Sequence, residues 1–217
     1  MAALFAAGLL ISGYLRLLQL DAANPPAIAS YATELYIAVT VIAAILLRRL
    51  GAPVQRLGFH ATPGAVRILL LAVAGVALIQ ATGFLLEPLV DKAFGGTRDL
   101  SRFSGVAASP AEMLKLMALS WTFAAFGEEL AFRILLMRGI AFALGDTRLA
   151  FGVALVAQAV VFGLVHAYQG PAGIVGTGVN ALIFGGLTLA ARGSIWPAAI
   201  AHGSNNSIGI VALYLSG

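Results

Sequence analysis

The chain has 217 residues, 60% hydrophobic and only 10% charged, with a mean hydropathy of +0.96. An ordinary soluble domain carries about 25% charged residues, and a core of this length cannot hide so much apolar surface from water, which excludes a soluble domain and indicates an integral membrane protein. The net charge of +4 comes from basic residues scattered between apolar runs, a loop-orientation pattern that argues against nucleic acid as a partner. The absence of cysteine excludes disulfides, thiolate metal sites and a cysteine nucleophile.

In chain order, seven segments, at about 2–20, 28–47, 66–86, 112–137, 149–167, 172–191 and 195–215, are apolar enough to read as spans, each close to the roughly 20 residues a bilayer requires. The opening "MAALFAAGLLISGYLRLLQL" has no basic residue ahead of its apolar run, so it reads as a first span rather than a cleaved signal peptide. The breaks "DAANPP", "RRLGAPVQRLGFHATPG", "FGGTRDLSRFSG", "LGDTR", "YQGPAG" and "RGSIWP" all carry turn chemistry. No alternating pattern long enough for barrel strands is present. The expectation is an all-α, polytopic transmembrane helical bundle, a single integral membrane domain over 1–217, with a polar site buried in the membrane.

The second break holds Arg48, Arg49 and Arg56, with Arg67 just beyond, and no acidic residue, which marks it as cytoplasmic. Alternation then puts the N-terminus inside, and the 87–112 connection and the C-terminus outside. Glycines in "GIVGTGVNALIFGGLTLAARG" suit close approach of helix backbones.

Against this apolar background, "GEELAFR" places Glu128, Glu129 and Arg133 inside the fourth segment. Three charges facing lipid would cost on the order of 8–10 kcal/mol, so they must face the bundle interior. Glu129 and Arg133 are four apart, neighbours on one helical face and able to pair. Glu128 is turned about 100° from Glu129 and falls outside that brace. A carboxylate in a low-dielectric cavity is suited to general-base work.

Of the three histidines, His60 lies in the basic loop, while His166 and His202 sit in or at the ends of apolar segments. Intramembrane ionisable groups are functional by default, which points to one shared site. Asn206 is four residues after His202 and shares its side of the last helix; Asn205, three after, substitutes if that helix is rotated. Phe162, four before His166, can wall the same cavity. Ser204 points away from the face of His202 and is a poor nucleophile candidate. Two schemes stay open, both hydrolytic: Glu128 takes a proton from water while the imidazoles and Asn206 orient it and support an oxyanion, or His166, His202 and Glu128 hold a divalent metal such as zinc.

"EELAFR" (Glu128 to Arg133), "FGLVH" (Phe162 to His166) and "HGSNN" (His202 to Asn206) follow the patterns EExxxR, FxxxH and HxxxN in that order. Together they resemble the CPBP intramembrane proteases, the family uniting type II CAAX prenyl endopeptidases with bacterial Abi proteins. "RLGFH" is similar to a short LG element of such chains. The resemblance covers about 54–210, with its motif core at 112–206.

It implies a helical bundle in the cell (inner) membrane whose site opens toward the cytoplasm. It also implies a membrane protein or lipidated peptide as substrate. Glu128 is then similar to the catalytic base, His166 to the residue that helps activate water, and His202 and Asn206 to those supporting an oxyanion or a metal. The family is labelled metalloprotease, yet a metal-free glutamate mechanism is also argued for it. Other intramembrane protease patterns fit badly: there is no HExxH, "ALGD" lacks the first glycine of GxGD, and no GxSG is present. Two readings from other classes compete: a non-catalytic membrane scaffold or immunity protein, and a small transporter or proton relay using the same cluster. Straight alternating helices would leave Glu128 and His166 near opposite ends of their segments, so the fifth helix must tilt or "YQGPAG" must be sunk into the bundle.

Overall fold

In the computed structural model, residues 2–18, 26–51 and 57–217 are described, and among them every regular element is a helix. Residues 19–20 of the first expected span, most of "DAANPP", and Arg56 lie outside the described residues. Helix α1 (Ala2–Leu18) packs on α2 (Ala32–Arg49) and on α6 (Arg148–Val165). The buried Ser12 hydroxyl ties the first pair together by donating to the Ala32 carbonyl at 2.7 Å. Helix α3 (Ala65–Phe94) runs past the expected end at 86. Pro88 removes one backbone donor but does not stop the helix; Gly95 does, in the left-handed conformation that a helix terminus favours.

The fourth segment is one long helix in three parts. Helix α4 (Pro110–Leu119) starts at an N-cap, where the Ser109 hydroxyl accepts from the Glu112 N–H and Pro110 occupies the first turn. It continues as a π-helix (Ser120–Met137) and closes with α5 (Arg138–Ala143), the backbone staying right-handed helical at both junctions. π-helices usually last a single turn and mark functional sites; this one runs for 18 residues. It lies centrally, touching α2, α6, α7 and α8. The remaining helices are α7 (Gly170–Ala190) and α8 (Trp196–Leu215), with α6 against α7 and α3 against α8.

Among the described residues, four stretches are long and apolar enough to cross a membrane: Ala27–Arg49, Ala65–Phe94, Arg148–Val165 and Ala167–Ala190. The expected count of seven is therefore not reached by length and hydropathy. Helix α1 is 17 residues long, and the 112–137 and 195–215 segments are diluted by the polar residues they carry into the bundle. Large apolar side chains such as Leu70, Val73, Phe84, Leu149 and Val160 point outward and are exposed, the surface an integral membrane protein presents to lipid.

Two contacts position the site. A Cβ on Gly163 would stand 2.5 Å from the Ile174 carbonyl oxygen, so α6 and α7 meet backbone against backbone just before His166. A Cβ on Gly203 would stand 2.7 Å from the Trp121 ring, and Trp121 Nε1 donates to Ser207 Oγ at 3.1 Å. That contact seats α8 on the π-helix beside His202. Glycine is needed at both places for approach, as small residues are in membrane helix interfaces.

Candidate active site

Glu129 and Arg133 are both fully buried, with Arg133 Nε 3.1 Å from Glu129 Oε2, which bears out the pairing expected from their spacing. The groups meet without the alignment of a hydrogen bond. The guanidinium instead lies 4.7 Å from the Phe162 ring centre and 5.1 Å from that of Phe184, so aromatic faces supply the rest of its environment. Glu129 has a second role that spacing does not disclose. Its Oε1 accepts from His202 Nδ1 at 2.9 Å, so the brace extends across to α8.

Glu128 projects from the same π-helix into the space between two imidazoles. Its Oε1 is 4.0 Å from His166 Nε2 and its Oε2 is 3.8 Å from His202 Nε2. The other nitrogen of each ring fixes the tautomer. His166 Nδ1 lies 2.8 Å from the Phe162 carbonyl, which can only accept, so that nitrogen carries the proton. His202 Nδ1 likewise gives its proton to Glu129. In their neutral forms both rings therefore turn an unprotonated Nε2 toward Glu128. Phe162 stacks on His166 at 4.5 Å and Phe184 on His202 at 4.6 Å, holding both ring planes.

The turn that carries His166 is partly buried in the bundle, which agrees with the second of the two alternatives, a tilted fifth helix being the first. Ala167 and Gln169 are buried, and the short 3₁₀ turn Ala167–Gln169 runs straight into α7. The α3–α4 connection is laced to it: Arg98 Nε and Nη2 both donate to Gln169 Oε1 (2.9 and 2.6 Å), and the Asp99 N–H donates to the Gln169 carbonyl at 3.0 Å. Burial pushes the Arg98 guanidinium below its usual basicity, and the hydrogen bonds from Ser101 hold the Asp99 carboxyl below the usual range.

A cavity of about 540 Å³ gathers these groups, lined among others by Glu128, His166, His202, Asn206, Phe162 and Tyr36. Asn205 and Asn206 both reach it, but to different partners. Asn206 Nδ2 donates to Ser120 Oγ at 3.1 Å, keeping its second N–H for the cavity, whereas Asn205 Oδ1 accepts from Gln80 of α3 at 2.8 Å. Ser120, Phe184 and Gln80 are contributors that motif spacing could not reveal, because their partners lie on other helices. At one end the lining includes Arg98, Leu100, Arg102 and Phe103 of the α3–α4 connection. His60 lies apart from the cavity lining, its carbonyl accepting from Ser194 Oγ at 2.7 Å.

A metal would need a tighter set of donors than these side chains form. Tetrahedral zinc with bonds of about 2.0–2.1 Å needs donor atoms about 3.3 Å apart, and among the described residues no group of three or more His, Asp or Glu side chains is so arranged. Glu128, His166 and His202 would have to draw together by several tenths of an ångström.

In comparison with known families, residues 110–208 fit the family model described as type II CAAX prenyl endopeptidase Rce1-like. No curated protein and no solved structure matches the chain.

Proposed function

We propose, from the premise that residues 110–208 belong to the type II CAAX prenyl endopeptidase Rce1-like family, that the protein hydrolyses a peptide bond of a membrane protein or lipidated peptide with Glu128 as general base. The observation that carries this reading is one carboxylate between the Nε2 atoms of two imidazoles, 4.0 and 3.8 Å away, in a single cavity. A water there donates one hydrogen to Glu128 and the other to His166 Nε2. Glu128 removes its proton as the oxygen adds to the scissile carbonyl carbon. The developing oxyanion takes the second Asn206 N–H, and an Nε2–H of His202 where that ring has taken a second proton from solvent, with Glu129 facing the opposite side of the ring. Glu128 returns the proton to the amine nitrogen as the C–N bond breaks, and the water's second proton passes to His166 Nε2, leaving a new carboxylate and a new amine. Glu129 and Arg133 hold His202 rather than touching the reacting atoms. No step requires a metal; if one is drawn in, His166, His202 and Glu128 are the residues to hold it.

Glu128→Gln keeps the shape of the side chain and removes the base. Comparison of membrane proteomes from cells making wild type or Glu128→Gln is expected to show at least one membrane protein accumulating uncut, with the variant folded to wild-type levels. Unaltered processing by the variant sinks the reading. Cleavage surviving exhaustive chelation removes only a metal-dependent version.

A further inference from the structure

Tyr36 brings a hydroxyl into this site from α2, outside the stretch that matches the family. Its side chain lines the cavity and its ring stacks on Phe132 at 6.1 Å. Phe132 is four residues after Glu128 and lines the same cavity. The Tyr36 Oη is buried and has no hydrogen-bond partner among the described residues. It lies 3.7 Å from the place a Cβ on Gly127 would take, against the backbone one residue before Glu128. A buried hydroxyl without a partner is a cost that packing gives no reason to carry.

The chemistry nearby has a use for that donor. A tetrahedral oxyanion needs hydrogen-bond donors, yet the site is rich in acceptors. The Nδ1–H groups of His166 and His202 are committed to Phe162 and Glu129, and one Asn206 N–H to Ser120. Ionised Glu128 can only accept, and neutral His166 and His202 also present acceptors. The phenol O–H of Tyr36 is a donor that no acceptor among the described residues claims.

We propose that Tyr36 is a further catalytic residue, donating its phenolic O–H to the carbonyl oxygen of the scissile peptide as that oxygen becomes an oxyanion. The water oxygen bonds to the carbonyl carbon, the carbonyl π electrons move onto oxygen, and Tyr36 hydrogen-bonds that oxygen while keeping its proton. The electrons return as the C–N bond breaks, with the amine proton coming from Glu128. This assignment rests on the proteolytic reading above.

The test is Tyr36→Phe, which keeps the ring and its stack on Phe132 and deletes only the hydroxyl. The probe is a quenched-fluorescence peptide copied from the cut site of the protein that accumulates with Glu128→Gln. Loss of one oxyanion donor lowers kcat by about 100-fold or more, and an interaction made only in the transition state leaves KM nearly unchanged. The melting temperature is expected to match wild type. Wild-type kcat, a change in KM alone, or a kcat loss matched by loss of folded protein overturns the assignment. If Glu128→Gln cuts the peptide at the wild-type rate, the proteolytic reading fails and this one with it. If Glu128→Gln is inert while Tyr36→Phe is not slowed, only Tyr36 is wrong.

Discussion

Arg133→Met takes the positive charge away from Glu129 at a place neither group can reach water, since both are fully buried. At 3.1 Å and an effective dielectric of about 20, their attraction is about 5 kcal/mol. The variant leaves the carboxylate with His202 alone. Breaking one side of such a pair costs about 3–5 kcal/mol, whereas replacing both charges by uncharged groups of similar volume is often close to neutral. Glu129→Gln alone should cost a similar amount, because it strands Arg133 among Phe132, Phe162 and Phe184. The double variant Glu129→Gln, Arg133→Met should recover to within about 1–2 kcal/mol of wild type, a coupling far outside additivity. The assay is equilibrium unfolding in detergent micelles, read by tryptophan fluorescence, as a four-member cycle. Single-variant losses below about 1 kcal/mol, or a double loss equal to the sum of the singles, would refute a desolvated ion pair here. The amide that Glu129→Gln introduces keeps an oxygen able to accept from His202, so the double variant should be stable yet slower than wild type.

Two further outcomes follow from the packing and the cavity. Gly163→Ala places a methyl group 2.5 Å from the Ile174 carbonyl oxygen, which should cost about 1–3 kcal/mol in unfolding measurements and also slow cleavage by displacing His166. A variant as stable and as active as wild type would show that α6 and α7 are not in backbone contact. Because the chain has no cysteine, Ser104→Cys in the exposed part of the α3–α4 connection gives a single thiol for labelling. If the cavity opens to the cytoplasm, an impermeant maleimide should label it in inside-out vesicles and not in intact cells; the reverse pattern moves the opening to the other face.

Much of the site is legible in the sequence because lipid makes charge expensive. Glu128, Glu129, Arg133, His166 and His202 stand out against an apolar background, and the bilayer leaves the bundle interior as their only destination. The Glu129–Arg133 pair can be read from spacing because both members sit one turn apart on one helix. The Glu129–His202 bond cannot. It depends on how far α8 is rotated against the π-helix, which is set by the bare face of Gly203 on Trp121 rather than by any spacing. Ser120 and Tyr36 escape notice for the same reason, since one reaches Asn206 across 86 positions and the other enters from a helix without a motif. The extent of the helices is less legible. The third segment loses its apolar character near 86 but α3 carries on through Pro88 to a glycine, and nothing in "SWTFAAFGEELAFRILLM" announces i→i+5 bonding. Orientation is the least legible of all, because it hangs on one basic loop and on every later segment alternating strictly across the bilayer.

The cavity volume bears on where the reaction gets its water. About 540 Å³ accommodates on the order of ten or more water molecules, given polar partners along its wall. Thr177, Asn180, Asn206 and the loop arginines provide such partners. On the hydrolytic reading proposed above, a reservoir of that size would hold the second reactant beside Glu128. On that reading the water is drawn from inside the bundle, and only the chain to be cut has to arrive through the bilayer.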